Sequence, residues 1–554
     1  MIELILEEYI ASLKEKDELD ILLSDLLKLD GYTVKNLPKT GERQYGVDLL
    51  AEKGEELYLY VIKQGDLTRK TWDGDKNSVR QSFSEIVDVY LDTMMDSSYK
   101  RRQKNIVFVT NGIIQDAVRP NWEGYKKSNN RKDVDISSIL LPDLVNLVLQ
   151  EGFNETLFSK SKRSELRKCL YYLDESDYKL DFFESIINKY FEELEEVTTD
   201  KKMNKIFSSL QMVLSLVTHT ANEKQRYRIS IKFTEYVLIS MWSYIQKNNL
   251  FEKRCEVLWL NKFIEMYIDS NEKFMDNLTT FSTNRNGLPS YNPVEYRVLC
   301  FDILGHLSVY AAFLSTENSS EIFDLKYSAG DTINLLVNLM NNNYGFYYPV
   351  YDNDGIELSL LFYVILIQRN ITDVEMLVEI YIQHILVFIR NGKYPILERQ
   401  YNLAMDIEFQ EIDYSKRYSA SFLWGILFEW TLLTERDDLA KSILAFDFLS
   451  ESTIQNWNCS SEEESNLYIK NEILNQGYTD ILNELEPFET KKMILDTSKI
   501  ADFNHFSFIE YSFPTIGLMI SRKYRMPVIP SYWRKEFIHI GKNERVKKGY
   551  DKRI

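Results

Sequence analysis

Apolar and polar positions repeat with two different periods along this 554-residue chain, and the change falls near residue 150. Before it, short β-branched and aromatic runs bounded by turn residues predict strands over Tyr32–Leu37, Tyr45–Ala51, Leu57–Gln64 and Asn105–Thr110. Helical spacing between them predicts helices over Asp17–Leu29, closed by Gly31, and over Ser78–Leu91. The predicted order is αβββαβ. Beyond residue 150, apolar residues recur at i, i+3, i+4 and i+7, as over Asp177–Leu194, Met203–Val217, Ile229–Lys247, Val294–Leu314 and Val374–Arg390. Pro and Gly are scarce and no fixed repeat emerges. The pattern predicts an α/β domain over 1–150 followed by an all-α region. The Asn/Thr/Ser-rich stretch 271–291 would divide that region into lobes 151–290 and 291–554.

Composition narrows the class. With 44% apolar and 27% charged residues, this is ordinary globular material, too long for one core. No apolar run reaches the roughly 18 residues of a membrane span, and the acidic start Met1–Glu8 is unlike a signal peptide. Cys169, Cys255, Cys300 and Cys459 lie far apart, which argues against a zinc site or a disulfide framework and leads to the expectation of a cytoplasmic protein. Gly41–Gly46 has the spacing of a phosphate loop but continues into Val47-Asp48 rather than Lys-Ser/Thr. Asp352-Asn353-Asp354-Gly355 resembles part of a calcium loop, but Val350 and Leu361 stand where outer ligands belong, so a turn is expected. All five histidines lie beyond residue 200, which excludes His-dependent chemistry near the predicted strands.

The chemistry centres on Asp48 and Lys63. They lie on two predicted strands joined by the turn Lys53-Gly54-Glu55. A carboxylate opposite a lysine suits metal-assisted phosphodiester hydrolysis: the carboxylate holds a hard cation, and the ammonium orients water and offsets charge on phosphate oxygens.

The element order, with the phrases Gly31-Tyr32-Thr33-Val34, Gln44-Tyr45-Gly46-Val47-Asp48 and Val109-Thr110-Asn111-Gly112, resembles the PD-(D/E)xK, or restriction-endonuclease-like, nucleases, in particular their Mrr-like members. The resemblance covers about residues 15–150. It implies a mixed sheet, Asp48 as metal ligand, Lys63 as catalytic lysine, and Asp20, eleven residues before Gly31, as the first-helix acid that also reaches the metal. The expected cofactor is Mg²⁺ or Mn²⁺, with the Ile62 backbone carbonyl as a further ligand. One position departs from the pattern. The (D/E)-x-K half reads Val61-Ile62-Lys63, and strand alternation puts Val61 on the face of Lys63, where a carboxylate belongs. Three readings stay open: a nuclease with a supplementary ligand such as Gln44 or Gln64, a weakened enzyme needing Mn²⁺ or an activator, or an inactive nucleic-acid-binding fold that recruits a partner.

Charge bears on the substrate. The chain carries 66 basic and 84 acidic residues, net −18, yet residues 63–132 hold 14 basic against 9 acidic. Arg69, Lys70, Lys76 and Arg80 follow the catalytic strand, and Arg101 and Arg102 form a second cluster. Phosphate binding is local, so a basic face on an acidic protein suffices for DNA. Nuclease domains of this kind fused to helical regions are typical of anti-phage defence effectors. The helical region is then expected to sense, self-associate or dock a partner protein, with no membrane involved.

Overall fold

The structure, a computed structural model, describes residues 2–36, 45–74, 78–446, 453–458, 478–481 and 515–525, except 152–153, 159, 176–177, 198, 249, 251–253 and 317–318. The chain packs as two units, Met1–Lys224 and Gln225–Ile554. Packing therefore divides at 224/225 rather than at the expected 150 and 290.

The amino-terminal unit begins with α1 (Ile2–Ser12) and α2 (Asp20–Leu29). A five-stranded sheet follows: β1 (Thr33–Asn36), β2 (Leu49–Lys53), β3 (Glu56–Lys63), β4 (Gln103–Thr110) and β5 (Val134–Ile139). The strands lie in sequence order. The β1–β2 and β2–β3 pairs are antiparallel, and the β3–β4 and β4–β5 pairs are parallel. Parallel neighbours need crossovers. They are supplied by α3 (Arg69–Asp73) with α4 (Val79–Glu85), and by α5 (Arg119–Asn129). Leu50, Leu59, Val61, Ile106 and Phe108 form one face and pack with Phe83 and Ile86 of the α4 segment and Trp122 of α5. Leu49, Ala51, Tyr60, Ile62, Val107 and Val109, of opposite parity, are buried as well. Burial of both faces explains the nearly continuous apolar run of β3 and β4.

Four more helices complete the unit: α6 (Leu141–Glu151), α7 (Lys160–Tyr171), α8 (Asp181–Glu195) and α9 (Asp200–Glu223). α1 packs on α6 and α9, and α7 and α9 pack on α8. Residues 160–223 thus belong with the sheet, α9 sharing with α6 the cover of α1. The predicted αβββαβ core is present, with α1 and β5 added and the predicted first helix shortened to Asp20–Leu29.

The carboxy-terminal unit is largely helical but not all-α. Ala420–Ser421, Thr453–Asn458 and Tyr478–Ile481 form a small three-stranded sheet. Among the described residues, the helix Pro293–Leu314 is long and apolar enough to cross a membrane by length and composition, and 83% of its apolar window is buried inside the unit. The expectation that no segment reaches that length is corrected. The helix is surrounded by protein rather than amphipathic. Asp352 accepts from the Ser421 hydroxyl and from the Phe422 N–H at 2.8 Å, and Asp354 from the Val350 and Tyr351 N–H groups. The calcium-like phrase is a turn whose carboxylates are bound to protein donors. Cys169 and Cys300 are free and buried. Cys459, His505, His539 and the basic tail Lys542–Arg553 lie outside the described residues.

Candidate active site

Asp48 immediately precedes β2 and so reaches the carboxyl end of β3, next to Lys63. Its N–H donates to the Tyr60 carbonyl at 2.9 Å, and its Oδ2 accepts from the Ile62 N–H at 2.8 Å. Gly46 (φ +85°) makes this approach possible: a Cβ there would lie 2.2 Å from the Ser82 carbonyl oxygen of α4. Burial pushes the Asp48 carboxyl above its ordinary range, partly opposed by the Lys63 ammonium. Lys63 Nζ lies 3.1 Å from Glu15 Oε1.

Glu15 opens the link between α1 and α2. There Lys16 is extended (φ −96°, ψ 143°) and Asp17 is left-handed (φ 67°). This break replaces the helix start predicted at Asp17 and swings Glu15 over the sheet end. Asp48, Lys63, Glu15, Lys16, Gln81 and Glu85 line a cleft of about 660 Å³. Gln64 lines it too, although alternation assigned it to the opposite face, because β3 ends at Lys63 and the chain turns at Gly65 (φ +78°).

Asn111 ties this end of the sheet together. It is buried, donates to the Ile10 and Leu13 carbonyls at 2.8 Å each, and accepts from the Gly65 N–H at 2.8 Å. Thr110 Oγ1 donates to the Gly65 carbonyl, and a Cβ on Gly112 would meet Gly65 C at 2.4 Å. The phrase Thr110-Asn111-Gly112 therefore fastens the turn after Lys63 to the end of the helix that leads into Glu15.

The remaining expected site residues are scattered. Asp20 is buried, accepts from the Ile21 N–H at 2.7 Å and does not line the cleft; Glu15 is the first-helix acid that does. Asp20 falls short because the helix starts only at that residue. Arg69 and Lys70 on α3 and Arg80 on α4 are exposed, with Arg80 paired to Asp73 at 2.6 Å. Arg102 pairs with Glu52 at 2.9 Å and lies over the Tyr99 ring, while Arg101 is exposed beside it. These two precede β4. The parallel register Glu56↔Gln103 through Lys63↔Thr110 therefore places them at the far end of the sheet, about 23 Å from the cleft. They do not join the site. Lys76 and Gln44 lie outside the described residues. Val61 is wholly buried in the core.

For a hard cation the donors are few. Among the described residues no group of three His, Cys, Asp or Glu is close enough to hold a metal. Asp48 and Glu15 supply two carboxylates beside Lys63, a set suited to Mg²⁺ or Mn²⁺ that keeps several waters. Comparison with protein-family models, curated proteins and solved structures finds no match for this chain.

Proposed function

We propose that the amino-terminal unit is a metal-dependent nuclease that hydrolyses phosphodiester bonds, with DNA as its substrate, and that the helical unit regulates it as part of an anti-phage effector. The observation that carries this is the convergence of the partly buried Asp48 and Lys63 at the carboxyl end of β3, facing a polar cleft. Asp48 and Glu15 would hold the cation, with the Ile62 carbonyl as further candidate donor. When bound, the cation polarises the phosphodiester and lowers the pKa of an attacking water. Lys63, paired here with Glu15, would orient the attacking water and stabilise charge on the phosphate oxygens. Arg69 and Lys70, exposed just beyond β3, hold the flanking phosphates.

The test is cleavage of supercoiled plasmid with Mg²⁺, Mn²⁺ or EDTA, comparing wild type with Asp48→Ala, Lys63→Ala and Asp20→Ala. Metal-dependent cutting lost in the first two and retained in the third is expected. Cutting that survives both would overturn the site.

A second reading is favoured by Val61 and by the lack of a three-carboxylate group among the described residues: an inactive nuclease fold that binds nucleic acid and recruits a partner. Salt-sensitive DNA binding by an inert wild type would establish it.

A further inference from the structure

Behind the Glu15–Leu19 link lies a second cavity, of about 180 Å³, bounded by α1, α7, α8 and α9. Three rings, Tyr9, Phe158 and Tyr190, and three cations, Lys162, Arg163 and Lys205, line it. Lys162 Nζ sits 3.6 Å from the Tyr190 ring centre and is paired with Glu193 at 3.1 Å. Burial pulls its pKa down despite that partner. Lys205 holds Glu18, with Nζ to Oε1 at 2.6 Å, and Glu18 in turn accepts from the Lys14 N–H at 2.7 Å.

The link is a common wall. Glu15 and Lys16 line the cleft of Asp48, while Asp17 and Glu18 line this second cavity. Lys205 therefore anchors, through Glu18, the short segment that delivers Glu15 to Lys63. With Lys16 extended and Asp17 left-handed, the segment has no continuous α-helical ladder; its backbone is bridged by the Leu19 N–H to the Lys14 carbonyl at 2.9 Å and by the Asp20 N–H to the Glu15 carbonyl, and the Glu18 anchor adds to these two bonds.

We propose that this cavity binds a small anion carrying a planar ring, an aryl phosphate or carboxylate, and that binding weakens the hold of the cleft on its cation. The ring packs on Tyr9, Phe158 and Tyr190, and the anion takes Lys205 and Lys162 from Glu18 and Glu193. A doubly charged phosphate outcompetes one carboxylate for a half-buried ammonium. Freed, Glu18 no longer fixes Glu15. By linkage the cation and the anion then oppose each other to the same extent. The binding half stands without the nuclease reading; the coupling half rests on it.

Phenyl phosphate is the probe, titrated calorimetrically into the full chain in EDTA. Saturable binding at roughly millimolar concentration or tighter is expected. It should weaken about tenfold or more in Lys205→Met, one charge-assisted contact being worth on the order of that factor, and stay unchanged in Lys63→Met. No saturable binding, or binding lost in Lys63→Met instead, would overturn the site, the latter because the phosphate then sits in the catalytic cleft. Lys205→Met alone should also weaken Mn²⁺ binding by about fivefold or more, and unchanged Mn²⁺ affinity would overturn the coupling. Failure of Mn²⁺ to bind wild type at all would instead count against the nuclease reading, leaving the anion result to stand on its own.

Discussion

At the scale of single residues, Asp48 is held against its own solvation. Its carboxyl is partly buried, accepts from the Ile62 backbone N–H, and has a raised pKa. A raised folded-state pKa contributes stability that is present at acid pH and lost as pH rises through the raised value. In the absence of a cation, Asp48→Asn should therefore raise the melting temperature at pH 7.5, with the difference closing as pH falls toward 4. No difference at any pH would show that the carboxylate is well solvated. Mn²⁺ must displace the same proton, so its affinity for wild type should climb with pH and flatten once Asp48 is fully ionised. Val61 raises the opposite question. It is fully buried between β3 and α4. Val61→Glu would insert a carboxylate into an apolar core at a cost of about 2–4 kcal/mol. Thermal unfolding should show a destabilised fold rather than a repaired active site, and restored or increased cleavage with unchanged stability would refute that view.

Among elements, the decisive event is the break between α1 and α2. The sequence places a helix start at Asp17 but does not announce the extended and left-handed link at Lys16 and Asp17, since Lys14-Glu15-Lys16-Asp17 has no Gly or Pro. What ends α1 is Asn111, about a hundred residues further along the chain, which donates to the Ile10 and Leu13 carbonyls that a continuing helix would use. Asn111→Ala removes the side-chain partner of the Leu13 carbonyl and of the Gly65 N–H, while the Ile10 carbonyl keeps the Leu13 N–H at 3.1 Å, at about 2–4 kcal/mol by the usual cost of unpaired groups. Urea unfolding should register that loss, and near-neutral behaviour would mean the link is held by other contacts. The sequence did show that Asn111 and Gly112 belong to a characteristic phrase. It could not show what they grip, because both partners are remote in sequence. Strand order was legible for a simpler reason: β2, β3 and β4 each carry their own apolar pattern, whereas β5, Val134-Asp135-Ile136-Ser137-Ser138-Ile139, alternates weakly and passes for a loop.

For the whole molecule, the two units are held by different means. The carboxy-terminal unit buries a charge cluster in which Arg522 reaches Asp302 Oδ1 at 2.6 Å and donates to His306 Nδ1 at 2.9 Å. Burial by itself would push Asp302 up, but Lys232, Arg522 and Arg228 hold it well below the usual carboxylate range. Burial and Arg522 push His306 down to about 4. A depressed histidine contributes stability that is present above its unfolded value and lost as pH falls through the folded one. The window from pH 6.5 to 4 should therefore remove about 3 kcal/mol from this unit, by the usual conversion. Melting curves across that range would record it, and His306→Gln should flatten the dependence; an unchanged slope would assign the acid sensitivity to other groups. Arg522→Met leaves Asp302 without its closest cation and should cost about 3–5 kcal/mol, as broken buried pairs do.

By itself the sequence determined much of the local alphabet: the strands β1 to β4, the long helices, that the two halves differ in class, and that Asp48 and Lys63 fall near the ends of neighbouring strands. Each of these follows from period and residue type within a few positions of the chain. Only the tertiary structure decided which acid accompanies Asp48, which basic residues stand near it, and where the first unit ends. Glu15 replaces Asp20 because a distant side chain breaks the helix between them. Arg101 and Arg102 fall away because a parallel strand carries them to the opposite end of the sheet. Residues 160–223 join the sheet through the packing of α9 on α1. These outcomes depend on contacts between residues far apart in the chain, which no local pattern encodes.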